Sequence, residues 1–595
     1  MKKSYLAIAT SLMLISSLSL PAQTKRPLAV DDFASIVESH SPRLSPDGKW
    51  IVYSVSSIDL KEDKKDSNLW MASWDGTQSI QLTFSPKSSE STPGWSPDGR
   101  YIAFLSGRED EHDSDQLWLM NRLGGEAQKI TDFAGGVEDY VFSPDGKQLA
   151  LVIHDPDPDQ TGKDEKKKTP HPIVVNRYTF KSDSSGYRDN RRRHIYLFDL
   201  HSRKSEALTS GDFDEESPSW SPDGKQVSFV SKRGSDPDRS TDWNVYVMEA
   251  RPGSTQRQLT TFEGADSAPD GDRPVWSPDG KRIAYVQGGD PKLIYYAVRN
   301  LAVIPADGGA ARIVTATTDR TIEDPHWSAD GSSIYFLVRD DRTVQLASIP
   351  AAGGTARRVA DGRHVVNTFD VVGGRMAVAM STPSLPAEIF VTDGASFRRI
   401  SHHNDAFLSG IDLAPVEEIS FKSKDGTSVN GFLVKPVGYR QGTKVPTILR
   451  IHGGPVLQFG NDFSFEWQLL AANGYAVVAA NPRGSTGRGE MYSRAIYADW
   501  GQKDVQDVLA AVDYAVERGI ADPERLGIGG WSYGGMLTNY TIATDTRFKA
   551  ATSGASMANI LAGYGTDQYV MEYDYELGPP WEHPDVWMKL SFPFL

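Results

Sequence analysis

The chain has 595 residues, which is enough for at least two domains, since a soluble domain usually has roughly 100 to 200 residues. Its formal net charge of -15 disfavours general binding to nucleic acid, because an acidic surface repels phosphates. The absence of cysteine excludes disulfides, thiolate metal sites and a cysteine nucleophile.

Residues 1–22 have the pattern of a secretory signal peptide. Two lysines precede an apolar run at 5–20, and a Pro-Ala pair follows it. This layout is typical of a segment that is removed after export. Serines within the run argue against a membrane span, and no cysteine is available for a lipid anchor; an uncleaved N-terminal anchor is the alternative. We therefore predict a mature protein in the periplasm or outside the cell, with no membrane contact after cleavage.

A repeated unit occupies residues 40–405. It consists of a Ser-Pro-Asp-Gly turn, or a variant of it, followed by alternating apolar residues and a second hairpin. Proline fixes φ and glycine tolerates positive φ, so the motif predicts a tight turn between strands. Four short strands in roughly 45 to 55 residues is the size of a propeller blade. The copies, which predict an all-β seven-bladed propeller, begin at Arg43, Gly94, Val141, Ser219, Val275, His326 and, in degraded form, Asp370.

A charged, proline-rich insertion separates the third and fourth copies. Its sequence is "HDPDPDQTGKDEKKKTPHP", at 154–172. Such composition cannot bury enough apolar surface to pack, so we predict a solvated loop. A contact arm for a partner is the alternative.

The pattern changes in residues 410–595. Continuous apolar strands such as "VPTILRIHGGP" and "GYAVVAANPRGS" now alternate with helical segments, and between Trp500 and Arg518 valines recur at helical spacing. This order of strands and helices is typical of a mainly parallel sheet covered by helices. We predict a second, α/β domain here.

The stretch "RLGIGGWSYGGMLTNY" contains a G-x-S-x-G motif formed by Gly530, Ser532 and Gly534. It follows an apolar strand and precedes a helix, which is the context in which this motif displays a nucleophilic serine on a strained turn. The upstream "HGGP" loop, which begins at His452, can direct backbone N–H groups at a developing oxyanion.

Five ordered motifs give the chain a resemblance to the prolyl oligopeptidase family of serine peptidases, and within it to the acylaminoacyl peptidase and bacterial dipeptidyl peptidase branches. They are "HGGP" at His452, "NPRGSTGRG" at Asn481, "DWGQKDVQD" at Asp499, "GGWSYGG" at Gly529 and "PWEHPDVW" at Pro580. The resemblance covers nearly all of the mature chain, and it implies a propeller followed by an α/β-hydrolase domain.

The resemblance also assigns roles to individual residues. It implies that Ser532 is the nucleophile and that the backbone N–H groups of Tyr533 and Gly454 bind the oxyanion. It places Arg483 on the floor of the substrate site, with a structural ion pair as the alternative. Arg488 stands where the family often has an aromatic residue. No cofactor and no metal is implied.

The serine needs an imidazole oriented by a carboxylate, and in this architecture both follow the serine along the chain. Downstream of Ser532 the sequence has one histidine, His583, with twelve residues after it. We therefore expect the hydrolase domain to be C-terminally incomplete, without the acid and histidine of the triad, and the chain to be inactive. Recruitment of His583 as the base is the alternative.

The function predicted from the sequence is peptide hydrolysis. We expect a serine-type peptidase that cleaves short peptides through an acyl-enzyme on Ser532, as an exopeptidase releasing an acyl-amino acid or a dipeptide. The alternatives are an esterase, which would not need a propeller, and a propeller that binds a partner without catalysis, which a missing acid and base would favour.

Overall fold

The computed structural model describes residues 25–592, apart from 86–87, 109–113, 158–171, 184, 268–271 and 395. The predicted signal peptide at 1–22 and most of the charged insertion lie outside the described residues. Within the described part, no helix is both long and apolar enough to cross a membrane.

The repeats form groups of four antiparallel strands. A short hairpin of β11 (Lys181–Ser182) and β12 (Gly186–Tyr187) is inserted in the third group, and a parallel bridge between Val344 and Val365 links the last two groups. The groups are β1–β4 (Glu38–Leu44, Trp50–Asp59, Lys64–Ser73, Ser79–Gln81); β5–β8 (Glu90–Trp95, Tyr101–Ser106, Gln116–Asn121, Gln128–Lys129); β9, β10, β13 and β14 (Val137–Phe142, Gln148–His154, Arg193–Asp199, Lys204–Ala207); β15–β18 (Glu215–Trp220, Gln226–Lys232, Trp243–Glu249, Arg257–Gln258); β19–β22 (Val275–Trp276, Arg282–Gln287, Asn300–Pro305, Arg312–Ile313); β23–β26 (Ile322–Trp327, Ser333–Asp340, Thr343–Pro350, Arg357–Arg358); and β27–β30 (Val365–Val372, Arg375–Thr382, Leu385–Thr392, Arg398–Arg399).

The repeated aspartates brace the turns between the first two strands of each group. In the first copy, the Ser45 hydroxyl donates to Asp47 at 2.6 Å, and Asp47 accepts the amide of Lys49. Gly48 has a φ of 64°, a conformation that glycine adopts without steric strain, so this position of the repeat requires glycine. The same serine–aspartate bond recurs at Ser96–Asp98, Ser143–Asp145, Ser221–Asp223, Ser277–Asp279 and Ser328–Asp330. These aspartates are therefore scaffold residues.

The groups close into a ring by packing. Each group shares a buried apolar cluster with the next one, and the last shares a cluster with the first. Asp370 in β27 accepts the amide of Leu44 in β1, and Arg375 donates to the carbonyl of Gly48. The prediction of a β-propeller is confirmed.

The second domain is built on a six-stranded sheet. Its order is β31-β32-β34-β33-β35-β36. The last four strands in this order are parallel to one another, and β32 is antiparallel to both of its neighbours, β31 and β34. The strands are Val416–Lys422, Ser428–Val434, Val445–Ile451, Ala476–Asn481, Ala521–Trp531 and Ala550–Gly554, for β31 to β36 in chain order. The α-helices of the described residues are numbered in chain order. Helix α1 (Asp405–Leu408) precedes β31, and α2 to α8 are Phe465–Ala472, Glu490–Ser493, Lys503–Glu517, Tyr533–Thr544, Ile560–Gly563, Val570–Glu576 and Pro584–Leu590. Among the described residues, 3₁₀ turns lie before β31 at Val30–Ser35, Pro237–Arg239 and Pro291–Tyr296, and in the second domain at Arg494–Ile496.

Helix α4 packs on this sheet through the face that the sequence predicts. Val505, Val508 and Val512 are buried in the domain core, and Leu509 and Val516 pack against the same cluster. The burial of these side chains removes apolar surface from water and holds α4 against the sheet. Strand β36 lies at the edge of the sheet.

Candidate active site

Ser532 lies on a sharp turn between β35 and α5. Its φ of 57° and ψ of -125° lie outside the conformations that a serine normally adopts, and holding such a residue costs of the order of 1–3 kcal/mol. The carbonyl of Ser532 accepts the amides of Gly535 and Met536, which joins the turn to the first turn of the helix. Ser532 is half-buried, so the residue is not packed into the core.

The glycines around Ser532 are required by close backbone contacts. A Cβ on Gly534 would lie 2.7 Å from the carbonyl oxygen of His452 and closer still to that of Ile451. A Cβ on Gly535 would lie 2.6 Å from the carbonyl oxygen of Gly554. The G-x-S-x-G pattern and its extra glycine therefore follow from the way α5 packs over the ends of β33 and β36.

The "HGGP" loop lies directly beside the serine. Parallel pairing of β33 with β35 places Ile451 opposite Gly530, so the loop leaves the sheet next to the turn. A Cβ on Gly453 would be 3.4 Å from Ser532 Cβ and 3.9 Å from its Oγ. Tyr533 is the first residue of α5, and a helix has no partner of its own for the N–H at that position.

Neither His452 nor His583 is positioned to act as the base for Ser532. Buried His452 is hydrogen bonded through Nε2 to the Ser485 hydroxyl at 2.8 Å and through Nδ1 to the Gly453 carbonyl at 2.7 Å. Burial lowers the pKa of His452 to about 4. His583 is exposed at the start of α8, with its ring against Gly578. Among the hydrogen bonds of the described residues, none joins a histidine to Ser532.

Arg483 is held in a buried ion pair. Its Nε and Nη2 donate to Asp507 at 3.0 and 2.7 Å, and its Nη1 pairs with Asp425. The side chains of Arg483 and Asp507 are 7% and 0% exposed. These contacts favour the structural alternative over the predicted contact with substrate. Arg488 lies over the ring of Tyr492, 4.3 Å from its centroid.

A buried carboxylate supports the turn from below. The Tyr533 hydroxyl donates to Asp504 at 2.6 Å, and the amide of Gly501 donates to the same carboxylate. Burial raises the pKa of Asp504 to about 6. The sequence contains the motif that carries Asp504, but its role becomes visible only when α4 is packed beneath α5.

Asp504→Asn is expected to flatten the pH dependence of stability. The pKa of Asp504 is raised from 3.8 to about 6 in the folded protein. Its contribution to the free energy of unfolding is therefore fully present below pH 3.8 and is lost as pH rises through 6. That loss amounts to about 3 kcal/mol. Urea unfolding between pH 4 and 6.5 measures it. Asp585→Asn, at an exposed position in α8, should keep the wild-type slope; equal slopes in all three proteins would contradict the assignment.

A second buried cluster joins the two domains. Tyr296 belongs to the 3₁₀ turn between β20 and β21 of the propeller, and its hydroxyl donates to Glu576 of α7 at 3.0 Å. Glu576 also accepts the indole N–H of Trp500 and the amide of Ala498, both at 2.8 Å. Burial raises the pKa of Glu576 to about 7. Local sequence patterns gave no signal for this contact.

A cavity of about 510 Å³ lies between the domains. Leu457 and Thr486 line it from the hydrolase side, and Arg299, Glu323 and Arg339 from the propeller. Leu457 lies just after the "HGGP" loop, so the segment that leaves this loop forms part of the cavity wall. Its walls contain apolar and charged groups together, which is common in ligand sites.

Comparison with known proteins places this geometry in a family. Residues 461–592 match the model of the prolyl oligopeptidase family, and residues 188–370 match that of the TolB beta propeller domain. The uncharacterized peptidase YuxL of Bacillus subtilis is 31% identical over 91% of this chain and 84% of its own length. The chain belongs to the prolyl oligopeptidase family of serine peptidases. The prediction made from the five motifs is confirmed.

Two further proteins are similar to this chain over most of its length. Dipeptidyl-peptidase 5 of Porphyromonas gingivalis is 29% identical over 98% of this chain and 87% of its own length. Among solved structures, the acylaminoacyl peptidase of Pyrococcus horikoshii superposes with a TM-score of 0.79 at 22% identity, over 94% of this chain and 84% of the other. The propeller and hydrolase arrangement is therefore that of this family.

Proposed function

We propose that this serine peptidase attacks short peptides with Ser532 and forms an acyl-enzyme there, while the N–H groups of Tyr533 and Gly454 bind the oxyanion. The observation that carries the proposal is the position of Ser532 on its strained turn, beside Gly453 of the "HGGP" loop. Two N–H groups preorganised at that point would stabilise the negative charge of the tetrahedral intermediate.

The reaction needs a base that the described residues do not place. Attack by Ser532 Oγ requires transfer of its proton, and a positioned imidazole typically accelerates such a step by 10²–10⁴-fold. His452 is engaged elsewhere and His583 is exposed at α8. We therefore propose that the attack of Ser532 on peptides is very slow in the chain of 595 residues, and that strong electrophiles react with it slowly but measurably.

The proposed substrates are short peptides, cleaved as an exopeptidase cleaves them. We propose that the propeller has seven blades and covers the site, and that substrates enter through the cavity between the domains, whose volume of about 510 Å³ has room for only a few residues. The relatives are named for dipeptidyl and acylaminoacyl peptidase activity, and one solved acylaminoacyl peptidase is in complex with Z-Gly-Gly-Phe-chloromethyl ketone. We propose a periplasmic or secreted location from the pattern of residues 1–22.

Labelling with a fluorophosphonate tests the role of Ser532. We expect a slow covalent adduct on Ser532, accelerated by added imidazole, which supplies a base in solution. Ser532→Ala should abolish the adduct, while Ser420→Ala, at an exposed position in β31, should label like wild type. Mass spectrometry of peptides locates the adduct. Equal labelling of Ser532→Ala would refute the proposal.

The missing imidazole contact favours a second candidate, a propeller that binds peptides without cleaving them. If no adduct forms at Ser532 even with imidazole, while a short N-acylated peptide binds in calorimetry, this candidate replaces the first.

A further inference from the structure

A small, strongly cationic cavity lies in the propeller, and Ser532 is not among the residues that line it. Its volume is about 70 Å³, and it lies between the third and fourth strand groups. Four cationic and two anionic side chains line it, so two positive charges are in excess. They are Arg177, Arg188, Arg192 and Lys232 with Asp214 and Asp238.

The two carboxylates are already paired. Arg177 binds Asp238 through two hydrogen bonds, at 2.7 and 3.0 Å. Arg192 pairs with Asp214 at 3.6 Å. A bidentate pair with Arg177 saturates much of the capacity of Asp238, so both carboxylates make their direct ion pairs with other cations of the cavity and attract Arg188 and Lys232 only at longer range.

Arg188 and Lys232 remain without a carboxylate partner at ion-pair distance among the described residues. The closest side-chain bond of Arg188 is a long one, 3.4 Å, to the Thr179 hydroxyl. Lys232 donates to the Ser240 carbonyl at 2.9 Å, and its Nζ lies 5.6 Å from the ring centroid of Trp243. Both cations therefore have donor capacity left toward the cavity.

The surroundings of these two cations disfavour their charged forms. Burial lowers the pKa of both, and Arg177 adds to the effect; Asp238 opposes it at both cations and Asp214 at Arg188, but the pKa of each cation stays below its usual value. Glu572 of α7 attracts Lys232 from a distance, but burial raises the pKa of Glu572, and its Oε2 has no hydrogen-bond partner among the described residues. A partly buried and incompletely compensated positive charge is costly, and a bound anion reduces that cost.

We propose that this cavity is a binding site for a small oxyanion, a carboxylate or a phosphate, held by Arg188 and Lys232. A water needs about 10–15 Å³ of such a cavity, so a volume of about 70 Å³ holds a group of several heavy atoms. A guanidinium binds a planar carboxylate through two parallel bonds, and an ammonium adds a third from another direction. The site is separate from the proposed function of Ser532 and does not depend on it.

Thermal unfolding at constant ionic strength tests the site. The probes are N-acetylglycine, which carries a peptide-like carboxylate, inorganic phosphate, and neutral N-acetylglycinamide. We expect one or both anions to raise the Tm of the wild type, with no effect of the amide. A response to N-acetylglycine alone assigns the site to a peptide carboxylate, and a response to phosphate alone assigns it to free phosphate.

Variants make the test specific. Lys232→Met keeps an apolar stem over Trp243, and it should raise the Tm without anion and weaken anion binding at least tenfold. Arg188→Gln provides a second variant with the same expected loss. Lys225 lies in the turn between β15 and β16, and its side chain is 80% exposed. Lys225→Met should therefore behave like wild type. An equal anion response in Lys232→Met, Arg188→Gln and wild type, or no response of the wild type, would overturn the proposal.

Discussion

Gly534→Ala is expected to disrupt the hydrolase domain and abolish labelling of Ser532. The new Cβ would lie 2.7 Å from the His452 carbonyl oxygen and closer still to that of Ile451. Both obstacles are backbone atoms at the end of the buried strand β33, so neither can turn aside as a side chain could. Forcing α5 away from the sheet should cost at least about 3 kcal/mol, measured as a loss in the urea midpoint of the hydrolase transition.

Gly527→Ala is the matched control for that variant. It lies in β35, the strand that leads into the serine turn, and a Cβ there would meet the Ile448 side chain at 3.6 Å and the Ala550 carbonyl oxygen at 3.8 Å, which are ordinary contacts. Alanine in place of a strand glycine removes backbone freedom from the unfolded chain, so a change within about 1 kcal/mol is expected. Equal stabilities of the two variants would show that α5 does not pack against β33 as described.

Arg483→Gln is expected to destabilise the hydrolase domain by about 3–5 kcal/mol, because it leaves a fully buried carboxylate without its partner. Asp507 is 0% exposed and receives two bonds from the guanidinium of Arg483. Replacing both residues together, with Arg483→Met and Asp507→Leu, should recover part of the loss, because no unpaired charge then remains. Urea unfolding followed by tryptophan fluorescence provides the measurement.

Arg450→Gln serves as its control. Arg450 also forms an ion pair in this domain, but with Glu466, which is 53% exposed. An exposed pair contributes at most about 1 kcal/mol. If Arg483→Gln unfolds like wild type and instead weakens the binding of a short peptide, Arg483 contacts substrate and the structural assignment is wrong.

Local patterns were enough to predict the serine turn and the propeller. The motif around Ser532 needs small residues because three backbone segments meet there, and that requirement is visible in the sequence itself. The Ser-Pro-Asp-Gly turns are equally local, since Ser45, Asp47 and Gly48 make their defining bonds within a few residues.

Contacts between distant segments could not be predicted in the same way. Arg483 and Asp507 both lie in quoted motifs, yet their pairing depends on the packing of α4 behind the loop after β34. Tyr296 and Glu576 are 280 residues apart, and no periodicity links them. The cationic cavity likewise collects side chains from segments that only the ring brings together.

The proposed chemistry requires Ser532 to face two oxyanion donors. A crystal structure of the fluorophosphonate adduct would show whether it does, because the phosphoryl oxygen takes the place of the oxyanion. We predict that this oxygen lies about 2.7–3.1 Å from the backbone nitrogens of both Tyr533 and Gly454. An adduct whose phosphoryl oxygen points to solvent, away from both nitrogens, would show that these N–H groups do not form an oxyanion hole.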